Sequence, residues 1–288
     1  MKVSQVYNTK RSLSFEIFPP KKDTELSNID ETLGVLAELK PDFISVTFGA
    51  GGSSNCNRTI ELAKKIKYEY NIEPVVHLTC LHYDRNEIDE FARVLKGEGI
   101  ENILALRGDP NPNACAKDDF KHSSDLISYL RDRNDFCFLG ACYPECHPDC
   151  AHMDDDIEYL KQKVDAGLDF VTTQMFFDNN IFYRYLAKLR TRGVTVPVIA
   201  GIMPVANGKQ IARICRLSGT YLPSRFKAIV DRFGDRPDAM LDAGVAYATE
   251  QIVDLFANGV NAVHVYTMNR PEVAERIMSN LRGIIGDR

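Results

Sequence analysis

The sequence has no run of apolar residues long enough to cross a membrane as a helix. Such a span needs about 18 uninterrupted apolar residues, and no stretch of the 288 residues approaches that. Residues 1–11 are polar and charged and lack the apolar segment of a signal peptide. We therefore expect a cytoplasmic protein without a membrane partner.

Basic residues are not gathered into any one stretch. The chain has 35 Lys and Arg against 40 Asp and Glu, which gives a formal charge of -5. Proteins that bind nucleic acid usually carry a basic stripe or patch. Nucleic acid is therefore not an expected partner.

The glycine-rich signature of dinucleotide-binding folds is also missing. In those folds a GxGxxG motif follows the first strand and opens a helix. No such motif follows the first β-type run here. This absence disfavours an open Rossmann sheet.

The chain instead alternates short β-type runs with helix-like segments. The runs are rich in Val, Ile and Phe, and the segments between them repeat apolar residues at helical spacing, as at Ile29, Leu33 and Leu36. The predicted strands are Leu13 to Phe18, Phe43 to Phe48, Val75 to Cys80, Ile103 to Arg107, Phe136 to Tyr143, Phe170 to Phe177, Val198 to Met203 and Ala262 to Met268. Such alternation implies parallel strands joined by crossover helices.

Glycines mark the ends of several predicted helices. Gly99, Gly167, Gly193 and Gly259 each stand shortly before a strand, where a left-handed C-cap suits glycine. No proline-rich or low-complexity linker interrupts the eight βα units, which favours a closed barrel. The sequence predicts an α/β fold, a (β/α)8 TIM barrel that forms a single domain over residues 1–288, with two additional helices between Pro223 and Asn258.

Active sites of such barrels lie at the carboxyl ends of the strands. Period-two alternation points a set of polar side chains inward there. These are Ser14, Glu16, Ser45, Thr47, His77, Thr79, Arg107, Tyr143, Thr172, Gln174, His264 and Tyr266. No predicted strand end carries Lys, which disfavours a Schiff-base aldolase, and no strand has the His-x-His pattern of metal-dependent barrel hydrolases.

Two carboxylates are candidates for chemistry. Glu16 points inward near the top of the first strand, where it suits a general acid; an ion pair with Arg107 is the alternative. Asp109 follows Gly108 in a loop where the backbone is expected to approach a ligand closely, and the alternative is a turn-forming Asp before Pro110.

Other positions stay open from the residues alone. His77 suits a base, a metal ligand or a hydrogen-bonded core histidine. Asp156 and Lys163 stand seven residues apart and share a helix face, so they could bind a ligand or form an exposed ion pair. The segment from Cys142 to Cys150 has the residue types of a zinc site but not its CxxC spacing, and we expect no metal.

A set of motifs, one at each strand end, resembles the methylenetetrahydrofolate reductase family. The match runs in order over essentially the whole chain. The motifs are Ser14-Phe15-Glu16-Ile17-Phe18-Pro19-Pro20, Ser45-Val46-Thr47-Phe48-Gly49-Ala50, His77-Leu78-Thr79-Cys80, Leu106-Arg107-Gly108-Asp109, Tyr143-Pro144-Glu145 with His147-Pro148, Thr173-Gln174 with Phe176-Phe177-Asp178, Gly201-Ile202-Met203-Pro204, and Tyr266-Thr267-Met268-Asn269-Arg270.

The resemblance implies an enzyme of one-carbon metabolism and methionine biosynthesis that reduces 5,10-methylenetetrahydrofolate. NADH or NADPH would supply the hydride, which passes in a ping-pong sequence through bound FAD, with FMN the less expected flavin. Glu16 would protonate the leaving folate nitrogen, and Asp109 would lie near the flavin and the pterin. The implied flavin-binding positions are Thr47, His77, Arg107, Gly108, Asp109, Tyr143, Asp156 and Lys163. The implied positions for folate or nicotinamide are Glu16, Asp109, Gln174, Gln210, Tyr266 and Arg270.

The resemblance also leads us to expect a homo-oligomer without a C-terminal regulatory domain or inhibition by S-adenosylmethionine. Two other hypotheses stay open. One is a metal-dependent barrel hydrolase or lyase that uses His77, Asp109, His147 and the nearby cysteines. The other is a folate- or flavin-binding subunit that takes electrons from a partner protein.

Overall fold

The described residues of the computed structural model form a closed barrel of eight parallel strands. They comprise residues 1–5, 11–20, 26–48, 53–111, 115–133 and 135–286. Gly49 and Ala50, which belong to one of the motifs above, lie outside them. Each strand pairs with the next along the chain, and the eighth closes against the first.

The element order confirms the predicted (β/α)8 architecture. The strands are β1 Ser12–Ile17, β2 Phe43–Val46, β3 Glu73–Thr79, β4 Asn102–Leu106, β5 Cys137–Cys142, β6 Phe170–Thr173, β7 Val198–Ile202 and β8 Ala262–Tyr266. The helices are α1 Leu26–Glu38, α2 Ser53–Tyr68, α3 Arg85–Gly97, α4 Ser123–Arg131, α5 Met153–Asp165, α6 Asn179–Thr191, α7 Gly208–Ser218, α8 Ser224–Phe233, α9 Pro237–Ala257 and α10 Pro271–Ile285. A 3-10 turn, Val3–Gln5, precedes β1.

Apolar side chains fill the barrel interior near the amino ends of the strands, its lower part. Val3 from the N-terminal turn packs with Phe43, Val75, Leu139 and other inward side chains, and its N–H donates to Asn102 Oδ1 at 2.8 Å. A second and larger core lies between the strands and the surrounding helices. Because branched apolar groups already fill the lower layer, the polar inward residues above it are left at the carboxyl end of the strands.

All eight strands end earlier than the apolar runs predict, β6 by four residues and the others by one or two. The run from Phe170 to Phe177 is wrong beyond Thr173, because Met175 and Phe177 leave the strand and join a cluster with Phe226 of α8. The run to Met268 is wrong beyond Tyr266, because Met268 has a positive φ of 55° that no strand accommodates. The other strand bounds differ from the predicted ones by one or two residues.

The helix-ending glycines adopt the backbone that the sequence predicts. Gly99, Gly167, Gly193 and Gly259 have φ of 62°, 114°, 79° and 82°. Residues that carry a side chain rarely adopt φ in this range, so glycine ends these helices without steric cost.

The predicted elaboration before the last strand is confirmed as α8 and α9. The N-terminal half of α9 packs closely on the loop after β7: a Cβ built on Gly244 would lie 2.0 Å from the carbonyl oxygen of Val205. Within the described ranges no helix combines the length and the apolar character that a membrane span requires.

Candidate active site

The carboxyl ends of the strands surround a cavity of about 1020 Å³. Ligand sites in proteins commonly span about 300–1,000 Å³, so this cavity is large enough for an extended cofactor. The sequence-predicted positions that line it are Glu16, Thr47, His77, Arg107, Gly108, Asp109, Tyr143, Gln174 and Tyr266. Asp156, Lys163, Gln210 and Arg270 are not part of its wall.

Glu16 lies between two imidazoles. Its Oε2 is 3.5 Å from His77 Nε2 and 3.9 Å from His264 Nε2. The side chain is 11% exposed and lines the cavity. The parallel register explains the grouping, because β1 lies between β2 and β8 and places Glu16 opposite Ser45 and Tyr266.

The alternative that paired Glu16 with Arg107 is wrong. Arg107 donates from Nη2 to Asp149 Oδ2 at 2.8 Å and from Nε to the carbonyl oxygen of Gly108. Its guanidinium therefore faces the rim of the cavity. The carboxyl of Glu16 instead meets groups of the barrel interior.

His77 is a buried and uncharged histidine at neutral pH. Burial is the largest influence and lowers its pKa to about 4, against the opposing effect of Glu16. Among the described residues no group accepts from or donates to its Nε2, which is buried. Such an atom normally has a partner, so it is available to a ligand or to a small rotation of Glu16.

Hydroxyl groups hold the ring of His264. Ser14 Oγ lies 2.7 Å from Nδ1 and Ser45 Oγ lies 3.2 Å from Nε2. The ring also stacks on Phe43, with centroids 5.6 Å apart. His264 is therefore fixed in position below the cavity mouth.

Tyr266 lines the cavity beside Glu16, and its hydroxyl donates to the carbonyl oxygen of Thr173 at 2.6 Å. Burial raises its pKa well above the ordinary value, so the group stays a neutral phenol. Gly201 is required next to this bond: a Cβ there would lie 2.3 Å from the same carbonyl oxygen and 2.6 Å from the phenol oxygen.

The loop after β4 contains the predicted Gly108 and Asp109. Gly108 has φ of 87°, and an added Cβ would lie 3.0 Å from Thr79 Cβ, so its backbone packs against the neighbouring strand. Asp109 is exposed at the cavity wall, and its carbonyl oxygen is 3.1 Å from His82 Nε2. This places a negative charge at the mouth.

After the neighbouring strand β5, Tyr143 packs edge-on against His147, with ring centroids 4.5 Å apart. Burial raises the pKa of Tyr143 to about 12. His147 also lines the cavity, and its backbone N–H donates to Asp156 Oδ2 at 3.1 Å. Asp156 therefore supports the wall from behind.

Asp156 and Lys163 share a face of α5 as predicted, but that face is not an exposed ion pair. Lys163 Nζ donates to the carbonyl oxygen of Ala141 at 2.7 Å. Burial lowers the pKa of Lys163, and Cys142 and Asp156 oppose that effect. Both side chains thus lie behind the β5 end of the cavity.

Three further predicted positions differ in how they meet the cavity. Gln174 lines it, although its Oε1 accepts from the N–H of Met175 at 3.0 Å. Gln210 is exposed at the first turn of α7. Arg270 donates to Glu272 at 2.7 Å and to the carbonyl oxygen of Ala206, next to the loop that leads into α7.

Sequence reasoning missed the part of the wall that follows β3. It identified His264 as an inward residue but not as a neighbour of Glu16. It did not identify the following cavity-lining residues: His82, Asn86, Glu87, Glu90 and Phe91. The polar sequence after Cys80 was a usable signal, since active-site residues of a barrel extend into its βα loops.

The cysteines of the β5–α5 loop are free thiols. Cys146 Sγ donates to the carbonyl oxygen of Cys150 at 3.6 Å, and Cys150 Sγ donates to that of His152 at 3.3 Å. Within the described ranges, no group of three or more His, Cys, Asp or Glu side chains is arranged to hold a metal ion.

Comparison with known sequences gives a match along most of the chain. Residues 2–282 match the family described as methylenetetrahydrofolate reductase. The 5,10-methylenetetrahydrofolate reductase of Escherichia coli (strain K12) is 34% identical over 270 residues, which cover 94% of this chain and 90% of that protein. The protein named methylenetetrahydrofolate reductase (NADH) 1 of Arabidopsis thaliana is 34% identical over 292 residues, which cover 96% of this chain and 49% of its own length. The chain therefore spans about half the length of such plant relatives.

Comparison with solved structures supports the fold. A Clostridium thermocellum protein, described as binding two copies of 5-methyl-5,6,7,8-tetrahydrofolic acid, superposes with a TM-score of 0.70 at 15% identity and covers 98% of both chains. A dihydropteroate synthase from Xanthomonas albilineans has a TM-score of 0.54 at 12% identity and covers 97% of this chain and 95% of its own. At these identities the likeness shows the barrel alone.

Proposed function

The chain belongs to the methylenetetrahydrofolate reductase family, and from that premise we propose that it reduces 5,10-methylenetetrahydrofolate to 5-methyltetrahydrofolate. The hydride comes from NADH or NADPH and passes through a flavin held at the barrel mouth. The two substrates use the same site in turn, in a ping-pong sequence.

One observation carries the proposal: a sheltered carboxyl, Glu16, lies at the wall of a large cavity and faces two imidazoles. Opening the five-membered ring of the folate requires a proton on the nitrogen that leaves, and produces an iminium cation that accepts hydride. Glu16 is the general acid in this step. Because His77 is neutral at pH 7, the carboxyl of Glu16 faces an uncharged imidazole on that side.

The residues present fit a flavin. The cavity volume of about 1020 Å³ suits an elongated ligand, and the buried Nε2 of His77 makes no hydrogen bond within the described part of the chain. We assign flavin binding to the positions predicted above: Thr47, His77, Arg107, Gly108, Asp109, Tyr143, Asp156 and Lys163. When bound, the flavin, FAD in our proposal, would supply hydride transfer between the nicotinamide and the folate.

The cationic side chains have separate tasks in this assignment. Arg107 presents its guanidinium at the rim, where it pairs with Asp149, and is a natural partner for phosphate oxygens. Lys163 lies behind β5, where its Nζ donates to the carbonyl oxygen of Ala141. In this assignment its charge acts on the flavin through the end of that strand. Asp109 places a negative charge near the pterin and orients it.

Folate and nicotinamide are positioned by residues from three strand ends. Gln174 and Tyr266 line the cavity, while Gln210 lies on the first turn of α7 and Arg270 bonds to Ala206 before that helix. We assign these two outer residues to the parts of a substrate that extend beyond the cavity. The inner residues are suited to the ring that reacts.

An absorbance experiment on the purified protein tests the proposal. We expect a flavin spectrum that bleaches anaerobically with NADH or NADPH and returns on addition of methylenetetrahydrofolate. A folded chain that binds no flavin on reconstitution contradicts the proposal, and stoichiometric zinc without flavin would favour a metal-dependent hydrolase or lyase. Flavin that dithionite reduces and folate reoxidises, but that neither nicotinamide reduces, would indicate a partner protein as electron donor.

We also propose that residues 1–288 act as one domain and that the protein is a homo-oligomer. Light scattering on the purified protein measures the assembly directly. A mass equal to the 32.4 kDa of one chain across a wide concentration range would contradict the second part.

A further inference from the structure

We infer that His264 is a positioning residue for Glu16, and that Ser14 fixes the tautomer in which it serves that role. The inference rests on the proposed function and deepens it. It concerns the fate of Glu16 after it has given its proton to the folate nitrogen. At that moment a carboxylate remains in a sheltered site and needs a hydrogen-bond donor.

The distances around His264 select one tautomer. Ser14 Oγ is 2.7 Å from Nδ1 but 3.4 Å from the carbonyl oxygen of Val263. The shorter distance is typical of a hydroxyl that donates, and the longer one is a weak contact. In our inference Ser14 donates its hydroxyl proton to Nδ1 rather than to Val263, which leaves the ring proton on Nε2.

On the Nε2 side of the ring, Ser45 is the hydrogen-bond neighbour and the carboxyl of Glu16 lies just beyond hydrogen-bond distance. The Nε2 atom is 3.2 Å from Ser45 Oγ and 3.9 Å from Glu16 Oε2. A shift of about 1 Å by the Glu16 side chain closes the second distance to that of a hydrogen bond. The bond becomes strong only when Glu16 is negative, so it favours the state that follows proton transfer.

The surroundings hold His264 for this task and offer few competing charges. The ring stacks on Phe43 and meets Tyr266 edge-on, so it cannot turn away. Among the described residues the titratable groups that the structure records beside this pair are His77, on β3, and Tyr266, on β8. His77 is neutral at pH 7 and Tyr266 is a neutral phenol engaged with Thr173, which leaves His264 as the group with a fixed donor.

Two substitutions of His264 separate the donor from the bulk of the ring. His264→Gln retains an N–H near the place of Nε2, whereas His264→Asn retains one only near the place of Nδ1. We expect His264→Asn to slow reoxidation of the reduced flavin by methylenetetrahydrofolate about 10- to 100-fold, the worth of a hydrogen bond to a charged group. We expect His264→Gln to recover most of that rate, and both variants to keep the rate of flavin reduction by nicotinamide.

The effect should depend on Glu16. In a Glu16→Gln background no carboxylate forms, so His264→Asn should cost little more. Ser14→Ala should slow folate-driven reoxidation of the flavin less than His264→Asn does, and Ser14→Thr should restore the rate. The Ser14 pair therefore tests the same hydrogen bond if His264→Asn does not fold. His122→Asn, an exposed histidine at the start of α4, is the matched control and should leave both half-reactions unchanged.

Equal losses in His264→Gln and His264→Asn would overturn the inference, as would a loss shared by both half-reactions or one undiminished in the Glu16→Gln background. A flavin-bearing wild type that folate does not reoxidise would overturn the proposed function and this inference with it. If the wild type is active and the His264 and Ser14 variants keep its rate of folate-driven reoxidation, the inference about His264 is wrong but the proposed function stands.

Discussion

Acidification should destabilise the protein through His77 in particular. The folded-state pKa of His77 is about 4, below the value of about 6.5 for an exposed histidine. Between these values the unfolded chain binds the proton and the folded chain does not, so the contribution is intact above pH 6.5 and is lost as the pH falls toward 4. At pH 5 the loss amounts to about 2 kcal/mol.

Urea unfolding of flavin-free protein at pH 7.5, 6 and 5 measures this loss. Other carboxylates also titrate over this range, so the test compares wild type with His77→Gln, in which only the imidazole contribution disappears. The gap between the two unfolding free energies should change by about 2 kcal/mol from pH 7.5 to pH 5. Thr79→Val, which alters a non-titrating residue two positions along β3, should run parallel to wild type. Parallel curves for His77→Gln and wild type would refute the claim that His77 is buried and neutral.

Two further substitutions test the geometry of the site. Gly201→Ala should destabilise the fold by about 1–3 kcal/mol, because its Cβ would lie 2.3 Å from the carbonyl oxygen of Thr173. The control Gly97→Ala, in α3 with open space around it, should be neutral or stabilising by thermal unfolding, and equal melting temperatures for both variants would contradict this account. Asp149→Asn should change stability by less than about 0.5 kcal/mol, since the ion pair is largely exposed, and should retain flavin at least as well because it releases Arg107. Loss of flavin from this variant in equilibrium dialysis would remove Arg107 from the phosphate-binding role.

Much of the barrel was predictable because local signals agreed with the global fold. Apolar runs gave all eight strands, and glycines such as Gly99 and Gly167 gave the helix ends. The errors fall where an apolar run continues past its strand. Phe177 looks like a strand residue by type, but it packs against Phe226, a contact between distant parts of the chain that no local pattern contains.

The candidate site was predictable as a ring of polar strand ends but not as a set of contacts. Alternation correctly placed Glu16, His77 and His264 inward. Their meeting depends on barrel closure, which brings β8 beside β1 and sets Ser14 opposite His264. The proposed pairing of Glu16 with Arg107 failed because Arg107 follows the end of β4 and turns to Asp149 at the rim, a contact that alternation along a strand does not reveal.

Positions taken from the family resemblance alone stay predictions where the structure places them outside the cavity wall. Lys163 and Asp156 lie behind β5, Gln210 lies on the first turn of α7, and Arg270 bonds to Ala206 and Glu272. Sequence spacing locates them on the correct elements.

The account depends most on Glu16 as the acid of the folate half-reaction, and stopped-flow absorbance of Glu16→Gln measures this directly. The variant should be reduced by nicotinamide at nearly the wild-type rate. It should lose at least about 100-fold in reoxidation by methylenetetrahydrofolate, the usual worth of a general acid. Equal rates of folate-driven reoxidation in Glu16→Gln and wild type would contradict the central claim.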